Sequence, residues 1–70
     1  MNPIVILAEK CQAEYRANIT TKVVNKVGED HRPTITVEIE LPNGNVYRAS
    51  GANQKIAKQK AAEIALEIEF

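Results

Sequence analysis

The chain has 70 residues, and its nine Lys and Arg offset its nine Asp and Glu, for a formal net charge of zero. A chain this short removes only roughly 60% of its unfolded surface from water, which leaves no room for a second core or a deep catalytic cleft. Apolar residues at 44% and charged residues at 26% fit a folded domain rather than a disordered one, and one cysteine, Cys11, with one histidine excludes an internal disulfide and a structural zinc site.

At the N-terminus, Ile4-Val5-Ile6-Leu7-Ala8 meets Glu9 and Lys10 too soon, and lacks the basic flank, for a signal peptide. No segment approaches the roughly 18 apolar residues of a membrane span. An unpaired thiol suits a reducing interior, so a cytoplasmic, intracellular protein is expected. Ile4, Leu7, Ala8 and Cys11 recur at helical spacing behind Pro3, which predicts a helix over about residues 3 to 12 with Cys11 packed inside. The β-branched stretch from Ile19 predicts a strand over about residues 19 to 27. A turn-rich interval, Gly28 to Pro33, leads into the clearest period-two pattern in the chain. Ile35, Val37, Ile39 and Leu41 alternate with Thr34, Thr36, Glu38 and Glu40 over about residues 33 to 41, which gives one buried and one wet face. Asn43-Gly44 tolerates positive φ and predicts a tight hairpin into an antiparallel strand over about residues 45 to 50.

Gly51-Ala52-Asn53 breaks that strand, and Asn53 is placed to cap a second helix over about residues 54 to 67. Ala57, Ala61, Ile64, Ala65 and Ile68 form its expected apolar stripe. The predicted class is therefore α+β, in the order α-β-β-β-α. A three-stranded antiparallel sheet would carry two helices on one face, in a single domain over residues 1–70.

Zero net charge hides an uneven distribution. Asn43 to Ala62 holds Arg48, Lys55, Lys58 and Lys60 and no acid, whereas the last eight residues hold three glutamates. A helix start already favours anions, so Lys55 and Lys58 in that turn oppose the dipole and call for a reason other than helix stability. With Gln54 they project within about a 100° arc, a donor cluster suited to phosphate. Glu38 and Glu40 share a wet strand face as a solubility device, and no metal-ligand spacing, nucleophile-base pair or glycine-rich phosphate loop is present. No enzyme, metal or cofactor is expected.

The run Gly51-Ala52-Asn53-Gln54-Lys55-Ile56-Ala57-Lys58-Gln59-Lys60-Ala61-Ala62-Glu63-Ile64-Ala65-Leu66 resembles the signature helix of the double-stranded RNA-binding domain. Pro3 to Gln12 looks like that family's first helix, and Gly28-Glu29-Asp30-His31 like its Gly-Pro-x-His loop, so the resemblance covers nearly the whole chain. It implies shape-based, sequence-independent reading of about 16 base pairs of A-form duplex RNA. By matching position, Gln54, Lys55 and Lys58 would face phosphates across the major groove, while Gly28, His31 and Arg32 belong to a loop entering one minor groove. Glu9 and Gln12 would meet 2′-hydroxyls or base edges in the other minor groove.

The chain also departs from the family pattern. Gln54-Lys55 stands for a basic pair, Val5 and Ala8 take the place of polar groups on the outer edge of the first helix, and Glu29 and Asp30 put acids in the loop. Thr21 stands where an aromatic is common, which bears on packing. Affinity should therefore be modest and strongly salt-dependent. The expected function is binding of duplex RNA as a module of an RNA-processing or RNA-regulating protein, beside a protein partner or a linked catalytic domain. The competing expectation is a protein-interaction module with weak or no RNA binding.

Overall fold

Asn2 accepts the Ile4 amide through Oδ1 at 2.9 Å, and Pro3 follows where a missing N–H loses no helical bond. In the computed structural model, which describes residues 2–70, this first helix, α1, spans Pro3–Tyr15. It outruns the expected end near residue 12, because Ala13, Glu14 and Tyr15 continue the helix without an apolar period. It stops where Arg16 turns left-handed at φ 56° and returns its amide to the Gln12 carbonyl at 3.0 Å. The strands are β1 (Thr20–Glu29), β2 (Arg32–Glu40) and β3 (Val46–Gly51), in sheet order β1-β2-β3 with both pairs antiparallel, and α2 (Gln54–Glu69) closes the α+β fold.

The expected loop from Gly28 to Pro33 is mostly strand. Gly28 pairs with Pro33 and Glu29 with Arg32, so Asp30 and His31 alone turn the chain. Gly28 makes this possible with φ +98°, and a Cβ at that position would stand 2.7 Å from the Arg32 carbonyl oxygen. The β2–β3 connection also differs in kind from the expected one. The Gly44 amide donates to the Leu41 carbonyl and the Leu41 amide to the Asn45 carbonyl, each at 2.9 Å. This is a type I turn with Pro42 at its first central position, followed by Gly44 at φ +91°. Asn43 keeps a negative φ and uses its Oδ1 to accept the Asn45 amide at 2.9 Å.

The core joins Leu7 and Cys11 of α1, Val37 and Ile39 of β2, Leu41, and Ala57, Ala61, Ala62 and Ala65 of α2. α2 lies across β2 and β3, and α1 packs against α2, so the helices share one sheet face and leave most of β1 uncovered. Short alanines bring the axis of α2 close to its neighbours. Gly51 does the same at the start of the helix, where a Cβ would meet Ile56 Cγ2 at 2.7 Å. Two members of the expected apolar stripe lie outside the core, Ile64 at 37% and Ile68 at 66% exposure, and buried Ala62 with half-buried Leu66 takes their place. At about 100° per residue Ile64 points a quarter-turn away from Ala65, and Ile68 sits in the last turn.

Glu38 also departs from expectation: it lies on the outer sheet face as read, but it is 8% exposed. Lys22 pairs with it on one side and Arg48 on the other. Arg48 Nε donates to Glu38 Oε2 at 2.6 Å, and Lys22 Nζ stands 3.6 Å from Oε1. These neighbours come from different strands, and their side chains cover a carboxylate that alternation alone exposes. At the other end of the sheet Glu69 accepts from the Tyr47 hydroxyl, from Asn45 Nδ2 at 2.7 Å and from Asn43 Nδ2 at 2.9 Å, while Asn43 also donates to the Tyr15 hydroxyl at 3.0 Å. Both helices are thereby fastened at their C-terminal ends to the β2–β3 turn. Among the described residues no helix is long and apolar enough to cross a membrane.

Candidate nucleic-acid interface

Asn53 caps α2 from extended backbone, accepting the Ile56 amide through Oδ1 at 2.9 Å, while its own carbonyl takes the Ala57 amide at 3.1 Å. The amides of Gln54 and Lys55 remain at the open helix end with the positive pole of the dipole. At about 100° per residue, Gln54, Lys58 and Lys55 fall in one arc, on the azimuth that buries Ala61, Ala65 and Ala62 in later turns. Lys58 is half-buried, and Gln54 and Lys55 are exposed. Among the described residues no ion pair involves either lysine. The other two charges of this stretch lie elsewhere: Arg48 is bound to Glu38 on the outer sheet face, and Lys60 projects from the far side of α2.

The β1–β2 tip lies at the same end of the sheet. β2 runs from Arg32 at the tip to Ile35, which pairs with Gly51 just before α2, a path of three residues or about 10 Å. At the tip Glu29, Asp30, His31 and Arg32 are all exposed, and His31 Nε2 stands 3.1 Å from Glu29 Oε2. The tip therefore presents an imidazole already engaged by its own carboxylate, and Gly28 serves it through backbone shape.

Glu9 and Gln12 are exposed on α1, on the side away from Leu7 and Cys11, with Val5 (50% exposed) between them on the helical wheel. They form a separate patch of acceptors and amide with an apolar centre. The fold thus brings Gln54, Lys55 and Lys58 to one sheet end with Gly28, His31 and Arg32, and leaves Glu9 and Gln12 on the outer surface of α1.

One residue of this region is legible only in the structure. A bulge between Val23 and Asn25 shifts the β1 register, so Lys22 stands opposite Glu38 on the outer face, while Lys26 stands opposite Ile35 on the helix-bearing face. Strict alternation would put both lysines on one face, and the sequence carries no local signal for the bulge.

An α-β-β-β-α layer whose sheet end gathers free lysines, an open helix N-terminus and a polar hairpin tip has the makings of a phosphate-binding module. The family model described as "Double-stranded RNA binding motif" matches residues 3–69, and the chain belongs to that family. It is a double-stranded RNA-binding module, and such a module is a binding unit rather than a catalytic one. The chain is 39% identical over 61 residues to Ribonuclease 3 of Ehrlichia chaffeensis, covering 87% of this chain and 27% of that protein. To Ribonuclease 3 of Cereibacter sphaeroides it is 38% identical over 60 residues, covering 86% and 26%. It therefore spans about a quarter of the length of the curated relatives it matches. A solved structure of Arabidopsis HYL1, a study concerned with miRNA processing, superposes with a TM-score of 0.79 at 28% identity, over 96% of this chain and 94% of that one.

Proposed function

We propose that residues 1–70 act as one reader of A-form RNA within a longer RNA-processing protein, and that its contacts divide among three patches. Lys55 and Lys58, with Gln54 and the open amides of α2, bind phosphates across the major groove as point charges and donors. His31, with the Gly28-to-Arg32 backbone around it, enters one minor groove, where an imidazole or a carbonyl meets 2′-hydroxyls, the groups that separate RNA from DNA. Glu9 and Gln12 meet the neighbouring minor groove, where a carboxylate can accept from a 2′-hydroxyl or a guanine amine. The observation that carries this reading is the pair of unneutralised lysines at a capped helix start, on the sheet end that also bears the hairpin tip.

The similarity to Ribonuclease 3 supports a catalytic domain linked to this module, so that the module supplies affinity and the linked domain supplies the chemistry, in the reducing cytoplasm. Replacing Lys55 and Lys58 together by Ala tests the site. Affinity for a 20-base-pair RNA duplex, read by fluorescence anisotropy at about 0.1 M salt, falls at least about tenfold as two phosphate contacts are lost, while the thermal midpoint does not fall, since two cations that oppose the helix dipole are removed. Unchanged affinity removes α2 from the interface.

A further inference from the structure

We propose that Lys26 is a fourth RNA contact, carried to the binding side by the β1 bulge and standing in for the positive charge that Gln54 does not supply. This inference rests on the interface proposed above. Residues directly opposite on paired strands point to the same side of the sheet. Ile35 packs against the core, so its side is the one that bears the helices, and Lys26 is its partner on β1. Ile35 is also the partner of Gly51, the last residue of β3 before the α2 cap. Lys26 therefore stands two strand spacings, about 10 Å, from Gly51, three residues before α2 begins at Gln54, and three residues, again about 10 Å, from Glu29 at the hairpin tip.

The surroundings of Lys26 favour an anion from outside the chain. It is exposed, the helices do not cover this part of β1, and among the described residues no ion pair involves it. Lys22, four residues earlier, has the opposite fate. It lies on the outer face against Glu38 and is committed there. The single extra residue at Val24 separates the two lysines: with unbroken alternation, residues 22 and 26 share a face. A duplex that touches both the hairpin tip and the start of α2 passes over the strand segment between them, and Lys26 is the cation on that side.

The test compares Lys26→Ala with Lys22→Ala, an equal charge change on the same strand but the other face. Binding of a 20-base-pair RNA duplex is measured from about 0.05 to 0.3 M salt, with circular dichroism to confirm the fold. Lys26→Ala is expected to weaken binding about fivefold at 0.1 M salt and to reduce the slope of log K against log salt by about 0.9, the signature of one lost phosphate contact. Lys22→Ala should leave both within about twofold of the parent. Lys26→Gln, which keeps a polar side chain without the charge, is expected to behave like Lys26→Ala. An unchanged slope in either Lys26 variant, or an equal loss in Lys22→Ala, overturns the proposal. Loss of binding in the Lys55/Lys58 double variant together with a normal Lys26→Ala refutes this inference alone, whereas normal binding in the double variant refutes the interface on which it rests.

Discussion

Gly28 shows how much one residue contributes to the hairpin tip. Its left-handed backbone and its missing Cβ together let Glu29 pair with Arg32, so that two residues turn the chain. Gly28→Ala should lose at least about 1–2 kcal/mol, because an L residue pays for φ +98° and its Cβ meets a backbone oxygen that cannot swing aside. Urea unfolding measures the loss, and RNA affinity should fall with it. Beside it, the Glu29 carboxylate occupies the imidazole that the proposed site turns toward RNA and brings negative charge near phosphates. Glu29→Gln is therefore expected to tighten duplex binding about two- to fivefold, the range of an exposed ion pair; unchanged affinity places this side chain away from RNA. Two carboxylates contribute to the acid side of stability. The hydrogen bond from Arg48 holds Glu38 below its usual range, and the Tyr47 hydroxyl does the same for Glu69. A lowered folded-state pKa gives stability that is present above the ordinary carboxylate range near 4.5 and is lost as pH falls through the lowered values. Tyr47 works in reverse: it is pushed up to about 12, chiefly by its bond to Glu69, so its contribution is complete below 10 and disappears as pH rises through about 12. Glu69→Ala should reduce both the alkaline and the acid-side loss, as read from thermal midpoints across pH.

At the scale of elements, α2 carries its charge against its own dipole: lysines near the start, glutamates near the end, no acid in the first turn and no base in the last. The glutamate end has a structural account in Glu69, which fastens the helix to the β2–β3 turn. On the proposed interface, the lysine end has its account in phosphate. Gln54→Lys should therefore tighten RNA binding and steepen the salt slope by about 0.9 while costing the free helix about 0.3–1 kcal/mol, since a third cation is added where the dipole disfavours it. A slope that does not change puts residue 54 off the interface. Element order and the capped start of α2 were legible because Asn53, Asn2, Pro3 and the alternation of β2 act through local chemistry. The hairpin tip was less so, since Gly28 reads as a loop signal yet serves as a paired strand residue. Glu38, Ile64 and Lys26 were misread or unplaced for one reason. Their surroundings are set by residues on other strands, by the edge of a helix contact, or by a bulge, and none of these leaves a periodic mark in the chain.

Across the whole molecule, neutrality is a sum over separated regions. Lys22 and Arg48 are spent on Glu38 on the outer sheet face, and Glu63, Glu67 and Glu69 gather toward the end of α2. Lys55, Lys58 and Lys26 are left without carboxylate partners among the described residues, at the opposite end of the sheet from the β2–β3 turn. A chain of formal charge zero can in this way present a local positive field to a duplex, because screening confines each interaction to about 10 Å at 0.1 M salt. With only three or four phosphates neutralised, binding should be modest and steeply salt-dependent. Selectivity for RNA should come from the minor-groove patches at His31 and at Glu9 and Gln12.

The most direct test is a salt titration of the unaltered chain with a 20-base-pair RNA duplex and a DNA duplex of the same sequence, followed by amide NMR shifts. The expected result is tighter binding to RNA, a slope of log K against log salt of about −3, and shifts confined to α1 near Glu9 and Gln12, β1 near Lys26, the tip near His31, and the start of α2. Equal affinity for DNA, a flat slope, or shifts on the outer sheet face around Glu38 would contradict it.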